Sequence, residues 1–225
     1  MASIYLVTGA NRGLGLEIVK QLRARGERVF GTARTPRDAG ELRELTPDVL
    51  ALDVSSSSSI DSLAAALKGQ AIDVLVNNAG VFGEDPSLKE LSLGEFQRVF
   101  AANVFGPALL AKAVVPNLEA GGRKLIANIS STLGSIAKSS AGFSWSYRSS
   151  KAALNMLSVA MHHELSPRGF VCVSFCPGWN KTQMGGPNAP LEPSDSMKSL
   201  IGVMDRLGAS DSGKFLSHVG EEIPW

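Results

Sequence analysis

Three glycines follow a short apolar run near the start of the chain, in the string TGANRGLG at residues 8–15. The run at residues 4–7 predicts a strand, and apolar residues at helical spacing begin at Leu14. Glycine lets the backbone approach a pyrophosphate closely, and a helix N-terminus offers free N–H groups and a positive dipole end. The sequence therefore predicts a dinucleotide site in a strand–turn–helix unit. The residues expected to contact the dinucleotide there are Gly9, Asn11, Arg12, Leu14 and Gly15.

Extended and helical segments alternate along the rest of the chain, which predicts an α/β fold with a parallel sheet covered by helices on both faces. This context favours a dinucleotide site over a plain tight turn at the glycines. With 225 residues and no obvious internal boundary, residues 1–225 are expected to form a single domain. The predicted strands are residues 4–7, 28–32, 49–52, 72–76, 124–129, 170–176 and 213–216, and the predicted helices are residues 14–22, 39–45, 60–67, 93–118, 147–165 and 197–207.

The charge balance is close to neutral, with 22 Lys plus Arg against 21 Asp plus Glu. Nucleic-acid binders and polybasic membrane surfaces need an excess of positive charge. No uninterrupted apolar run approaches the ~20 residues that span a bilayer, and residues 1–7 lack the features of a signal peptide. We therefore expect a cytoplasmic protein with no nucleic-acid or membrane partner. The histidines and the two cysteines, Cys172 and Cys176, form no metal-binding pattern, so no metal site is expected.

The end of the second predicted strand indicates which nicotinamide dinucleotide the site takes. An NAD site commonly has an acidic residue there, which accepts hydrogen bonds from the ribose 2′-hydroxyl. This chain has Arg34 at that place and Arg12 in the glycine turn. The two guanidinium groups are suited to grip a 2′-phosphate through charge-assisted bonds, each worth about 1.5–3 kcal/mol. The alternative is that both are solvated surface arginines. The pattern favours NADP(H).

Tyr147 and Lys151 are spaced so that one helix face carries both side chains. A phenol beside an ammonium group is suited to donate or accept a proton. Because free tyrosine titrates near pH ~10 and one pKa unit corresponds to about 1.4 kcal/mol, lowering the phenol pKa to roughly 7 needs about 4 kcal/mol. The lysine and a cationic cofactor ring are the predicted sources of that energy. The same spacing also occurs by chance on solvated helices, so the pair alone does not establish a catalytic site.

Several motifs follow the glycine string in order: NNAG at residues 77–80, NISS at 128–131, YRSSK at 147–151 and PG at 177–178. With them the chain resembles the short-chain dehydrogenase/reductase family over essentially its whole length. The resemblance implies a doubly wound Rossmann-type sheet of about seven parallel strands. The implied catalytic residues are Asn103, Ser131, Tyr147 and Lys151. The further implied cofactor contacts are Asp53, Val54, Asn78, Ala79, Gly80, Tyr147, Lys151, Pro177, Gly178 and Thr182.

The resemblance also implies a mechanism, in which NADPH reduces a carbonyl compound to an alcohol. Tyr147 then donates the proton, Ser131 hydrogen-bonds the same oxygen, and Lys151 holds the cofactor ribose and lowers the phenol pKa. Asn103 orders its helix and a water that reaches Lys151. Ser131 lies sixteen residues before Tyr147, where thirteen is usual, so Ser130 is the alternative catalytic serine.

Within the family the chain is most similar to the branch of the sniffer-type carbonyl reductases and the bacterial C-signal proteins. The similar strings are SYRSSKAALNML, PGWNKTQMGGPNAPL and EEIPW. Asn180 departs from the branch, which typically has an aliphatic residue there. The Gly- and Pro-rich segment at residues 179–193 predicts a lid over the substrate pocket. The expected substrate contacts are Ser131, Trp145, Trp179 and Met184, and they favour an apolar, small-molecule carbonyl substrate.

Two questions stay open at this point. The similarity to C-signal proteins makes a signalling protein that senses a dinucleotide the competing function. The intact catalytic set favours an enzyme, because sensing does not require Tyr147. The predicted helix at residues 147–165 also carries small and apolar residues such as Met156, which are suited either to a homodimer or to packing on the chain's own sheet.

Overall fold

Seven strands form one parallel sheet in the computed structural model, which describes residues 2–225. In chain order they are β1 Ile4–Val7, β2 Arg28–Ala33, β3 Val49–Ala51, β4 Val74–Asn77, β5 Leu125–Ile129, β6 Val171–Cys176 and β7 Phe215–Ser217. The order across the sheet is β3-β2-β1-β4-β5-β6-β7, and every neighbouring pair is parallel. The predicted α/β, doubly wound fold of about seven strands is therefore confirmed.

The residues that the structure describes form seven α-helices. They are α1 Gly13–Ala24, α2 Gly40–Leu45, α3 Ser57–Ala66, α4 Leu93–Phe100, α5 Gly106–Ala120, α6 Trp145–Leu165 and α7 Pro193–Arg206. Helices α1, α2 and α7 contribute to one apolar cluster, and α3, α5 and α6 contribute to another. In β1, Tyr5 and Val7 belong to the first cluster and Leu6 to the second, because successive strand residues point to opposite faces. Burial on both faces explains why the strands have continuous apolar sequences.

The predicted helix at residues 93–118 is instead two α-helices joined by a π-helical turn, Ala101–Phe105, which contains Asn103. The whole segment Leu93–Ala120 is long and apolar enough to cross a membrane by length and composition, but half of its most apolar window is buried inside the protein. Leu110 and Val114 of this segment are fully buried in the cluster that covers the sheet. The segment is thus a core helix of this fold.

Helix α7 begins at Pro193, four residues before the predicted start at residue 197. Proline suits the first turn of a helix because its φ is already helical and its missing N–H needs no partner there. The predicted lid therefore ends at residue 192. The two ends of this segment are also joined, since Asn180 and Leu191 form an isolated parallel β-bridge. We refer to residues 179–192 as the lid.

Candidate active site

The glycine turn is held in shape by the strand next to β1. Gly9 and Gly13 have φ values of +62° and +55°, which only glycine adopts without strain. A Cβ on Gly15 would lie 2.3 Å from the Gly9 carbonyl oxygen, so the turn also excludes a side chain at this position. The Asn78 side-chain amide, which follows β4, donates to the Thr8 and Gly9 carbonyl oxygens at 2.8 and 3.2 Å. The turn thus has one conformation, set by close packing and an amide brace.

Helix α1 begins directly after this turn, and no side chain caps its N-terminus. Arg12 occupies the N-cap position in an extended conformation, its side chain makes no capping bond, and the first turn contains no acidic residue. The free N–H groups and the dipole at this end therefore remain available to an anion. Together with the two glycines of positive φ, this end of α1 fits the pyrophosphate of a dinucleotide.

The other predicted cofactor residues follow the carboxyl ends of neighbouring strands, which lie at one edge of a parallel sheet. Arg34 follows β2 and is exposed, while Asp53 and Val54 come after β3 and are half-buried. The Ser55 hydroxyl donates to Asp53 at 2.6 Å and holds the pKa of that carboxyl below its usual range, and the Arg34 charge acts in the same direction. The residues that follow β4 and β6 are Asn78, Ala79, Gly80, Pro177, Gly178 and Thr182.

The lid lies against the glycine turn. The Arg12 guanidinium donates to the Gln183 side-chain oxygen at 2.7 Å, and a Cβ built on Gly13 would lie 3.7 Å from the Thr182 methyl group. Asn180, the residue that departs from the branch, is buried and donates to the Pro177 and Gly178 carbonyl oxygens. Its amide therefore stiffens the turn that begins the lid, which an aliphatic side chain cannot do.

Tyr147 and Lys151 share one face near the start of α6, and both are buried, with 8% and 5% of their surfaces exposed. The Lys151 Nζ lies 5.5 Å from the centre of the Tyr147 ring. It donates to the Ile129 carbonyl oxygen at the end of β5, at 2.8 Å. A Cβ on Gly80 would lie 3.7 Å from Nζ and 3.1 Å from the Asn103 Oδ1, so the segment after β4 meets both side chains.

Burial dominates the titration of both groups. It raises the pKa of Tyr147 to about 12, while the Ser131 hydroxyl beside the phenol opposes the rise. It lowers the pKa of Lys151 to about 8, and Cys176 partly offsets this. Desolvation is the largest cause of both shifts in the chain by itself, because burial penalises both charged forms. That Lys151 and a cationic cofactor ring together lower the phenol pKa stays a prediction.

Ser131 and Ser130 have different surroundings. The Ser130 hydroxyl is buried and donates to the Lys151 carbonyl oxygen at 3.3 Å, away from the phenol. The Ser131 hydroxyl accepts from the Leu133 N–H at 3.1 Å, caps the 3₁₀ turn Thr132–Gly134, and lies close enough to Tyr147 to influence its pKa. The geometry favours Ser131 as the serine that faces the phenol.

Asn103 is fully buried and connects three elements. Its Oδ1 accepts from the Val81 N–H and its Nδ2 donates to the Val81 carbonyl oxygen, both at 2.9 Å. Nδ2 also donates to the Ser150 hydroxyl at 3.0 Å, and that hydroxyl donates to the Tyr147 carbonyl oxygen. Asn103 thus links the π-helical turn to α6 beside Tyr147. Single π-helical turns frequently mark functional sites.

The apolar side chains predicted to contact substrate differ in their exposure to solvent. Trp179 and Met184 are exposed on the lid, and the Trp179 indole donates to the Gly185 carbonyl oxygen at 2.7 Å, whereas Trp145 is half-buried at the start of α6. The sequence analysis missed Phe82, whose ring packs on the Tyr147 ring with the centres 4.6 Å apart and which is 39% exposed. Its position two residues after the NNAG motif is the only sequence signal that points to it.

The chain is similar to a known protein family over most of its length. The family model described as short chain dehydrogenase matches residues 3–192. The chain belongs to this family. The C-signal protein of Myxococcus xanthus is 41% identical over 154 residues, which cover 68% of this chain and 93% of that protein. The match confirms the predicted resemblance to the C-signal branch.

Two solved structures of carbonyl reductases are similar along the entire chain. The NADPH-bound carbonyl reductase from chicken fatty liver is 35% identical with a TM-score of 0.92, and the match covers 100% of this chain and 99% of that one. The carbonyl reductase Sniffer of D. melanogaster is 33% identical with a TM-score of 0.93 and full coverage of both chains. As a member of the short-chain dehydrogenase family, the chain is an oxidoreductase.

Proposed function

We propose that the protein is an NADP(H)-dependent carbonyl reductase, which reduces a ketone, aldehyde or quinone to the alcohol with Tyr147 as proton donor. The observation that carries this proposal is the buried phenol of Tyr147 beside Lys151 and Ser131, at the sheet edge where the glycine turn also opens. The similarity to an NADPH-bound carbonyl reductase and to Sniffer supports the same reaction class.

The cofactor is held at the carboxyl edge of the sheet. The N-terminus of α1 and the glycine turn bind the pyrophosphate, Arg12 and Arg34 bind the 2′-phosphate, and Asp53 contacts the adenine. Lys151 binds the nicotinamide ribose. When bound there, NADPH supplies the hydride for the carbonyl carbon.

The proton for the carbonyl oxygen comes from Tyr147. Because burial raises the pKa of this phenol to about 12, it is fully protonated at neutral pH and serves as an acid. Ser131 donates a hydrogen bond to the same oxygen and stabilises the developing alkoxide. The buried Lys151 ammonium favours the phenolate that remains after the transfer. Asn103 acts as a positioning residue, since its bonds to Val81 and Ser150 fix the start of α6.

The substrate is apolar on the side that faces Tyr147. Phe82 lies against the phenol ring and keeps part of its surface exposed, so a flat apolar group has a partner beside the reacting oxygen. The Arg98 guanidinium donates to the Phe82 carbonyl oxygen at 2.7 Å, and Glu95 accepts from the Glu84 N–H, so α4 holds this segment in place. Trp145 on α6 and the lid residues Trp179 and Met184 are proposed to complete the pocket.

Replacing Tyr147 by Phe is expected to lower the rate of NADPH oxidation with aromatic ketones, aldehydes and quinones by about 10²–10⁴-fold, because a positioned general acid contributes that much. NADPH binding, followed by its fluorescence, is expected to persist. Tyr5→Phe is the matched control, since Tyr5 is the other tyrosine of the chain and accepts a bond from Arg123 within the core. Full turnover by the Tyr147 variant would refute the role of the phenol.

Replacing Arg12 and Arg34 by Ala is expected to raise the Michaelis constant for NADPH about 10-fold or more per arginine, because each charge-assisted bond contributes about 1.5–3 kcal/mol. The constant for NADH is expected to change little, since NADH has no 2′-phosphate. Arg37→Ala removes a nearby guanidinium that is 86% exposed and serves as control. Equal effects on both cofactors would contradict the assignment.

The rate of reduction is expected to depend on the protonation of Lys151. Burial lowers the lysine pKa to about 8, so the ammonium is present below this pH and is lost as the pH rises through it. We expect kcat/KM to be flat near neutral pH and to fall above about 8. In Lys151→Arg, whose guanidinium stays charged to above ~12, this fall is expected to disappear. A wild-type profile that stays flat to pH 10 would argue against a role for the lysine charge.

A second function is favoured by one observation, the similarity to the C-signal protein. In that case the chain binds the dinucleotide and signals without turnover. A panel of ketones, aldehydes and quinones, tested with NADPH and with NADH, separates the two functions. Tight binding of NADPH with no oxidation over the panel would favour the signalling protein.

A homodimer stays a prediction. Met156 on α6 is 64% exposed, and Phe105, just before α5, and Leu109 in its first turn are exposed as well, which leaves apolar side chains for a second copy to cover. Light scattering is expected to give twice the mass of one chain, and a Met156→Glu variant is expected to give the mass of one. A wild-type protein with the mass of one chain would overturn the prediction.

A further inference from the structure

The last residues of the chain, Ile223–Trp225, return to the sheet edge that carries the active site, and we call them the tail. The Ile223 N–H donates to the Phe215 carbonyl oxygen of β7 at 2.7 Å, and the Ile223 side chain is buried against Phe215 and Cys176. The Trp225 ring stacks on the Phe215 ring, with the centres 5.6 Å apart and an interplanar angle of 17°. The tail is therefore fastened to β7 by a backbone bond and by aromatic packing.

The tail also fastens the loop that follows Ser131. The buried Ser135 hydroxyl donates to the Pro224 carbonyl oxygen at 2.5 Å, and the Ala137 N–H donates to the Trp225 carbonyl oxygen at 2.8 Å. Residues 135–144 contain no helix or strand that would order them from within. Ordering such a segment costs about 1–2 kcal/mol of conformational entropy per residue, which outside contacts must offset.

The same loop is coupled to Ser131 by short bonds. The Ser131 hydroxyl accepts from the Leu133 N–H at 3.1 Å, and the Ser131 carbonyl oxygen accepts from the Gly134 N–H at 2.9 Å. On one side the Thr132 N–H donates to the Cys176 sulfur, and Cys176 packs on Ile223. On the other side a Cβ on Gly134 would lie 2.7 Å from the Lys151 Cβ. The turn Thr132–Gly134 is thus packed between α6 on one side and Cys176, which contacts the tail, on the other.

We propose that the tail is a positioning element for Ser131, which keeps the serine hydroxyl beside the Tyr147 phenol so that both can reach the same substrate oxygen. The inference rests on the proposed reductase function. It concerns a part of the chain that lies beyond residues 3–192, which the family model matches. Trp225 in the tail and Ser135 in the loop make the contacts through which the tail acts, and neither is among the residues assigned to substrate or cofactor.

The first test compares kcat and the Michaelis constant for NADPH in Trp225→Ala and Ser135→Ala. Ser135→Ala removes the hydrogen bond to Pro224, and Trp225→Ala removes the ring stacking on Phe215. Because either contact contributes about 1 kcal/mol, we expect kcat to fall about 5- to 10-fold while the Michaelis constant for NADPH stays within twofold. In Ser135→Ala the tail residues themselves are unchanged, so this variant covers the case in which the tryptophan variant fails to fold. Val219→Ala, an exposed apolar residue in the preceding turn, is the matched control and is expected to behave as wild type.

The second test asks whether the tail acts through Ser131. If it does, adding Trp225→Ala to Ser131→Ala causes no further loss of kcat, because the serine that the tail positions is already absent. The proposal would be overturned if the fold losses in kcat of the two single variants multiply in the double variant. It would also be overturned if Trp225→Ala alone leaves kcat unchanged. A general loosening of the fold would instead raise the Michaelis constant for NADPH as well, which also counts against it.

The third test does not depend on catalysis. Hydrogen exchange at the Leu133 and Ala137 amides is expected to become about tenfold faster in both variants, while the amides of β5 keep their wild-type rates. Unchanged exchange at Leu133 would refute the coupling between the tail and Ser131. If the wild-type protein reduces no carbonyl compound, the proposed function fails, and the exchange rates alone then decide whether the tail positions the serine.

Discussion

The hydrogen bonds between the ends of β1 and β4 are the constraint on which the rest of the site depends. The Thr8 hydroxyl accepts from the Asn78 and Ala79 N–H groups, both at 2.9 Å, and the Asn78 side chain in return braces the glycine turn. The strand order reverses between these two strands, so their carboxyl ends open a crevice that no crossover helix covers. With the two ends tied, the N-terminus of α1 and the segment after β4 have a fixed separation, and Gly80 then meets Asn103 and Lys151.

Desolvation governs the chemistry that this crevice supports. Both Tyr147 and Lys151 are buried, so the phenol pKa is raised to about 12 and the lysine pKa is lowered to about 8. An acid that keeps its proton at neutral pH suits reduction of a carbonyl group. The reverse reaction needs the phenolate, which burial disfavours until positive charge is added nearby. In the proposed mechanism, burial thus keeps Tyr147 in the protonated form that can donate.

Residue spacing along the sequence predicted the features of the site that depend on one strand, turn or helix. The glycine turn and the pair Tyr147 and Lys151 follow from strand, turn and helix spacing alone, and Pro193 was a readable helix start that the sequence analysis placed inside the lid. The π-helical turn at Asn103 was missed because apolar periodicity continues through it. Within this turn, Asn103 bonds to Val81 and Ser150, which lie 22 and 47 residues away along the chain. The contacts of Phe82 and of the tail could not be predicted for the same reason, since their partners are brought near only in the folded chain.

The central claim is that this chain transfers a hydride to a carbonyl carbon and protonates the oxygen through Tyr147. The most direct measurement supplies NADPH that carries deuterium at the reactive C4 position and analyses the alcohol by mass spectrometry. The account predicts one deuterium on the carbinol carbon from only one of the two C4-labelled forms, because a fixed crevice presents a single face of the nicotinamide ring. An alcohol without deuterium from either form, or tight cofactor binding with no alcohol at all, would contradict it.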